Sequence, residues 1–264
     1  MSLSRRHLLQ SASALGALGL IGCKEASVKT PVTEGTQTVS KLANEAATAA
    51  LDGAKTFMLN AYPETASSMG IDKGEYASLR GKLADRSPEG QTKIANAAKG
   101  VLKDLKAIET DKLSPELALD IEVVSSVFER GVDGFDFPYG DMALLNLNWS
   151  YRNSPYVAAQ NTGAFIEIPS FLGSSHALDT AASGEDYVSR MQAYAKQLDG
   201  ETDRIQRDGE AGMILPDFLL EKTIDQLKIA RAQNPADWSL LKNLTNSAIK
   251  SEALERDALS LIHI

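Results

Sequence analysis

Residues Ser87–Gly134 read SPEGQTKIANAAKGVLKDLKAIETDKLSPELALDIEVVSSVFERGVDG, and the same start signal occurs in them twice. Ser87-Pro88-Glu89 and Ser114-Pro115-Glu116 each supply a capping hydroxyl and a proline suited to the first helical position. Behind the first, Ile94, Ala98, Val101, Leu105 and Ile108 form an apolar stripe of helical period. Behind the second, Leu117, Ile121, Val124 and Phe128 repeat it, and Gly131 and Gly134 supply a stop. Two such neighbours joined by a short connection predict an antiparallel helical pair.

The same period extends both ways. Leu42, Ala46, Ala50, Ala54, Phe57 and Ala61 mark one face of a preceding helix, which Tyr62-Pro63 should end because the residue before proline avoids the helical region. Ser183-Gly184-Glu185-Asp186 resembles a capping box ahead of Tyr187, Met191, Tyr194, Leu198 and Ile205. The charges Glu201, Asp203, Arg204 and Arg207 read as a solvated opposite face. Gly209 and Gly212 end that helix, Asp217 caps the next (Leu220, Ile224, Leu227), and Asn234-Pro235 starts a last one running on through Glu252 and Arg256. With 264 residues, 43% hydrophobic and only 6% aromatic, the chain is long enough for one large domain or two small ones. Its apolar residues lean to Ala and Leu, and the expected class is all-α, built from antiparallel helix pairs.

One stretch departs from that period. Half of the aromatics lie between Phe135 and Phe171, three prolines interrupt the segment, and Val132–Ala182 reads as a long irregular loop. Such loops are often functional. Two readings stand: a wall of a substrate cleft lined by Trp149, Tyr151, Tyr156, Gln160 and Asn161, or an irregular segment anchored to the helices by its aromatics. Phe165-Ile166-Glu167-Ile168 alternates briefly, as a short strand would.

The first 22 residues read as an export signal. Arg5 and Arg6 are the pair of a twin-arginine-like leader, and an apolar run too short to span a bilayer follows. Leu20-Ile21-Gly22-Cys23 has the form of a lipobox, in which cleavage before Cys23 leaves a lipidated cysteine. Cys23 is the only cysteine, so the chain forms no internal disulfide. Removing residues 1–22 leaves 25 basic against 35 acidic side chains and moves the net charge from −8 to −10. So acidic a body is a poor partner for nucleic acid or anionic headgroups, and membrane attachment would come from the acyl chains alone. Lys24, rather than aspartate, follows the cysteine, which by analogy with enterobacterial sorting favours the outer membrane. Residues 23–40 read as a flexible tether and 41–258 as the helical body.

Pro155-Tyr156, Gln160-Asn161-Thr162-Gly163, Ile168-Pro169-Ser170-Phe171-Leu172, Asp186-Tyr187, Arg190-Met191 and Gly212-Met213-Ile214-Leu215-Pro216-Asp217-Phe218-Leu219-Leu220 resemble, in order, the bacterial family catalogued as domain of unknown function 885. Tyr62-Pro63-Glu64-Thr65-Ala66 and Leu83-Ala84-Asp85-Arg86-Ser87 extend the likeness upstream. The resemblance implies a mainly helical, often exported protein similar to zinc metallopeptidases, with a His-Glu-x-x-Pro-Gly-His-His type metal site well downstream of these residues. This chain holds no His-Glu-x-x-His. His7, His176 and His263 are its three histidines, and a lone loop histidine such as His176 reads as a structural or surface residue rather than a ligand.

Expected of this chain is therefore no catalytic residue, metal ligand or cofactor of its own, with zinc and a peptide substrate belonging to the intact parent. The alternative is a non-catalytic helical binding or scaffolding lipoprotein of the cell envelope. Residues Leu259-Ser260-Leu261-Ile262-His263-Ile264 are what one frame of the mosaic-end adapter of transposase-based sequencing encodes (CTG TCT CTT ATA CAC ATC). They are expected to be an artefact that truncates the chain near Ala258. Oligomeric state has no signature in the sequence.

Overall fold

In the computed structural model residues 34–144, 152–249 and 251–262 are described. Thr38–Ile264 form one compact unit; Met1–Gln37, the other, lie almost wholly outside the described residues, as do Arg5, Arg6, Leu20, Gly22 and Cys23. The first helix, α1 (Glu34–Ala61), starts inside the stretch expected to be a tether and stops before Tyr62-Pro63 as the proline requires. Its buried face is Ala47, Ala54 and Leu59, with Ala50, Phe57 and Ala61 beside them; Leu42 and Ala46, expected in the stripe, are exposed. A single turn, α2 (Glu64–Ser68), follows.

The two Ser-Pro-Glu signals start helices where they stand. Ser87 Oγ accepts from Gly90 N at 3.0 Å and opens α3 (Pro88–Lys106), and Ser114 does the same for Leu117 N in α4 (Pro115–Phe135). Lys106 pairs with Glu129 and Lys99 with Asp136, so the two run antiparallel. Ile94, Ala98 and Leu105 of α3 meet Ile121 and Phe128 of α4 and the inner face of α1, where Phe57 and Phe128 pack with ring centres 5.8 Å apart.

The region expected to be irregular is only partly so. α4 continues past Gly131 and Gly134 to Phe135, and the supposed strand Phe165–Ile168 is helix, in α5 (Ala164–Ser174). Four residues of alternation are too few to separate strand from buried helix. Pro169 sits inside α5, where it cannot donate to the carbonyl of Phe165. The Tyr194 hydroxyl approaches that oxygen at 3.5 Å instead.

Helix α6 (Ala181–Glu210) is capped by Thr180, whose hydroxyl accepts from Ser183 N while Ser183 Oγ accepts from Thr180 N. The capping box thus lies three residues before the expected one, with serine as the reciprocal group. α7 (Asp217–Ala232) follows, with Asp217 as its first residue rather than its cap. The long last helix is broken into a 3-10 turn at Pro235–Asp237, α8 (Ser239–Thr245) and α9 (Glu252–Ile262). Ser247 Oγ bonds the Leu244 carbonyl at 2.7 Å, a local alternative to another helical turn. α5, α6, α8 and α9 enclose a second core of Ile168, Phe171, Leu172, Tyr187, Met191, Leu240, Leu244 and Ala258. Leu259 and Leu261 pack at its edge. No strand occurs among the described residues, where two isolated bridges, Asp141 to Ser154 and Ala159 to Thr162, are the only β pairings. The class is all-α.

Candidate functional site

Helix α6 carries two adjoining stripes. Tyr187, Met191, Tyr194 and Leu198 face the second core. Arg190, Gln197, Glu201, Arg204 and Asp208, one seven-residue step and then steps of four, three and four, form a neighbouring stripe that is polar and buried. Of the four charges expected to be solvated, only Asp203 and Arg207 are; Glu201 is 3% exposed and Arg204 1%. The error lay in reading charge as solvation. Five polar residues keeping helical period beside an apolar stripe were the signal that they are buried.

Burial at this level demands partners. Arg86, preceding the Ser87 cap, reaches Glu201 Oε1 through Nη1 at 2.8 Å and Glu167 Oε2 through Nη2 at 2.7 Å. The other Glu201 oxygen accepts from Ala164 N at 2.8 Å, at the start of α5, and the other Glu167 oxygen accepts from Gly163 N at 3.3 Å. Asp141 accepts from Arg152 Nε at 2.6 Å and Nη2 at 3.2 Å, and from Arg204 Nη2 at 2.8 Å. Asp208 accepts from Gly140 N at 2.7 Å and from Arg207. Gly140 has φ 80°, and a Cβ there would strike the Ser154 carbonyl, so glycine is required where the loop closes onto α6.

The ionisation follows from this geometry. Burial would raise Asp141, but Arg152 and Arg204 outweigh it and hold the carboxyl well below the usual carboxylate range. Arg152, which also lies 5.9 Å from the centre of the Tyr62 ring, is pushed up by Asp141 against the effect of burial. Burial raises Glu201 and is opposed by Arg86 and by Ala164 N–H.

A second knot lies at the start of α6. Arg190 is fully buried without a direct carboxylate contact: it donates to the carbonyls of Lys82 and Leu79, to Ser67 Oγ at 2.9 Å and to His176 Nδ1 at 2.8 Å, and stacks on Phe171. Ser67 in turn donates to Asp72 Oδ2 at 2.8 Å, relaying negative charge to the guanidinium. Burial lowers Arg190 to about 10. His176 Nε2 lies 2.8 Å from the Ser183 carbonyl, which requires its proton there and leaves Nδ1 as the acceptor. His176 is thus a buried structural residue.

Every oxygen of Asp141, Glu167, Glu201 and Asp208 already accepts a hydrogen bond. These groups clamp α3, α5, α6 and the 136–163 segment together; none is free to move a proton. Zinc needs three or four His, Cys or carboxylate donors held together. Among the described residues no such cluster exists, and those present do not fit the metal, because their donor atoms are spent on guanidinium and backbone groups.

Trp149 and Tyr151 lie outside the described residues. Gln160 and Asn161 are exposed and Tyr156 half-buried. Two adjoining cavities of about 260 Å³ each open in this region. They share Gly134, Phe137, Tyr139 and Met142; one extends to Gln91, Arg204 and Arg207, the other to Asn153, Ser154 and Pro155. This concave surface is built by the turn after α4 together with Asn153, Ser154 and Pro155, which lie between the expected cleft residues Tyr151 and Tyr156.

The family described as "Bacterial protein of unknown function (DUF885)" matches residues 63–262. The chain belongs to that family. All of the charge clamp described above lies within the matched residues of this DUF885 member. A solved structure described as the "putative lipoprotein" from Colwellia psychrerythraea superposes on 86% of this chain with a TM-score of 0.63 at 14% identity. That likeness concerns the fold, and the chain spans 38% of the Colwellia protein's length. No curated protein matches the sequence.

Proposed function

We propose that this DUF885 member is the N-terminal portion of an exported lipoprotein, anchored through acyl chains on Cys23 and facing the periplasm, with the twin-arginine pathway as its route and the outer membrane as its final address. Leu20-Ile21-Gly22-Cys23 carries the reading, and the fold match to a protein described as a lipoprotein supports it. In the intact parent the helical body forms one side of a cleft of a zinc-dependent, peptidase-like hydrolase. The resemblance supplies that activity, and the metal ligands would come from residues outside this chain. The cavities beside Phe137 and Tyr139 are where this body offers concave surface to a substrate.

The test is made on the intact gene. Long-read sequencing of the locus should show a frame that departs from this sequence near Ala258 and goes on to encode a His-Glu-x-x-His helix. The purified product should hold stoichiometric zinc and cleave peptides. A longer frame without that motif, or a metal-free inactive product, would favour the non-catalytic binding or scaffolding lipoprotein.

A further inference from the structure

Helix α7 is the anomaly of the fold. Ile214, Phe218, Ile224, Leu227 and Ile229, on α7 and its approach, are all exposed, Phe218 at 62% and Ile229 at 64%. Among the described residues α7 has no extensive packing against any other element, and Thr223 is its only buried residue. Scattered exposed apolar residues are ordinary; a helix showing them on several sides is not. α4 also exposes Leu119, Val123 and Val127, but its other face is seated on α3. No helix with so little burial of its own is expected to hold its place in water.

We propose that α7 is the docking element for the part of the intact protein that follows Ala258, a proposal that rests on the reading of this chain as an N-terminal portion. Two observations select that occupant. The chain accounts for 38% of a protein whose fold it shares over 86% of its own length, so that protein carries much additional chain. α9 packs against Pro235–Asp237, the turn that follows α7 almost at once. From Glu252 to Ala258, where the native chain is expected to continue differently, α9 is only about 10 Å long, so chain continuing from Ala258 emerges within easy reach of α7. The surface also suits an intramolecular partner. Its apolar residues are interspersed with Glu221, Lys222, Asp225 and Lys228, of both signs, which would ring the contact with solvated charge.

Hydroxyl-radical footprinting of the intact gene product, read by mass spectrometry, tests this without substitutions. The oxidation rates of Phe218, Leu227 and Ile229 are compared with those of the same residues in a short unstructured peptide spanning 213–232. In the intact protein the rates should fall by an order of magnitude or more, independently of protein concentration. Rates near those of the peptide in a longer protein would overturn the docking and leave the fragment reading standing. Protection that appears only as the protein self-associates would overturn it in favour of a second copy. A genomic frame that stops after Ile264 would refute both.

Discussion

Arg204 Nη2 lies 2.8 Å from Asp141 Oδ1, and the two side chains, from residues 63 apart in sequence, are each 1% exposed. Arg152 closes the same carboxylate from the other side. Three buried charges thus fasten the C-terminal part of α6 to the loop that follows α4, where an apolar contact would have served the core equally well. What the charges add is direction: a guanidinium fixes the angle at which the loop meets the helix.

Asp141→Asn should therefore be strongly destabilising. It leaves Arg152 and Arg204 buried without a counter-ion, a defect that costs about 3–5 kcal/mol. Urea denaturation measures it; a loss below about 1 kcal/mol would mean the cluster is hydrated in solution. Because the folded carboxyl titrates below its ordinary value of 3.8, its contribution is complete above that value and fades only in stronger acid.

His176 gives stability a dependence at milder pH. Burial, and then the nearby Arg190 charge, lower its pKa from 6.5, against the raising effects of the Ser183 carbonyl, Asp186 and Asp72. The unfolded chain then binds the proton more readily than the folded one. Stability is full above 6.5 and declines as pH falls below it, until the folded ring titrates. Unfolding free energy followed from about pH 7 to 5 should drop in the parent and far less in His176→Gln. Equal slopes in the two proteins would show the ring to be solvated.

Glycines in helices separate packing from propensity. At Gly200 in α6 a Cβ would lie 2.7 Å from Ser87 Cα and 2.8 Å from Ser87 N, so Gly200→Ala must push α6 off the start of α3. A loss of about 1–3 kcal/mol is expected. Gly53 in α1 has open space around its Cβ position, and Gly53→Ala should gain about 0.4–1 kcal/mol. Thermal unfolding of both variants checks the pair; the same sign for both would contradict the close approach.

The helices were legible because their information is local. Ser87 and Ser114 cap, Pro63 stops, and the stripes of α3 and α4 bury as their period requires. The break after Thr245 was not, because Ser247 acts through a bond to a carbonyl that sequence alone does not favour over helix. The buried clamp was half legible. Its α6 members keep a helical period, but their partners Arg86, Asp141, Arg152 and Glu167 come from four separate places in the chain. Pairing over such separations leaves no local trace, so Glu201 and Arg204 read as surface charge. The two cavities left no mark in the sequence: they lie where Gly140 turns the chain beside Phe137 and Tyr139, with Asn153, Ser154 and Pro155 as the part that comes from the aromatic-marked stretch.

Anchoring through Cys23 is tested most directly by mass spectrometry of the N-terminal peptide of the full-length protein expressed with its own leader in a bacterial host. The expected mature protein begins at Cys23, with diacylglycerol on its Sγ, and partitions with membranes. An N-terminus at any other residue, or an unmodified Cys23 thiol in the mature protein, would contradict it.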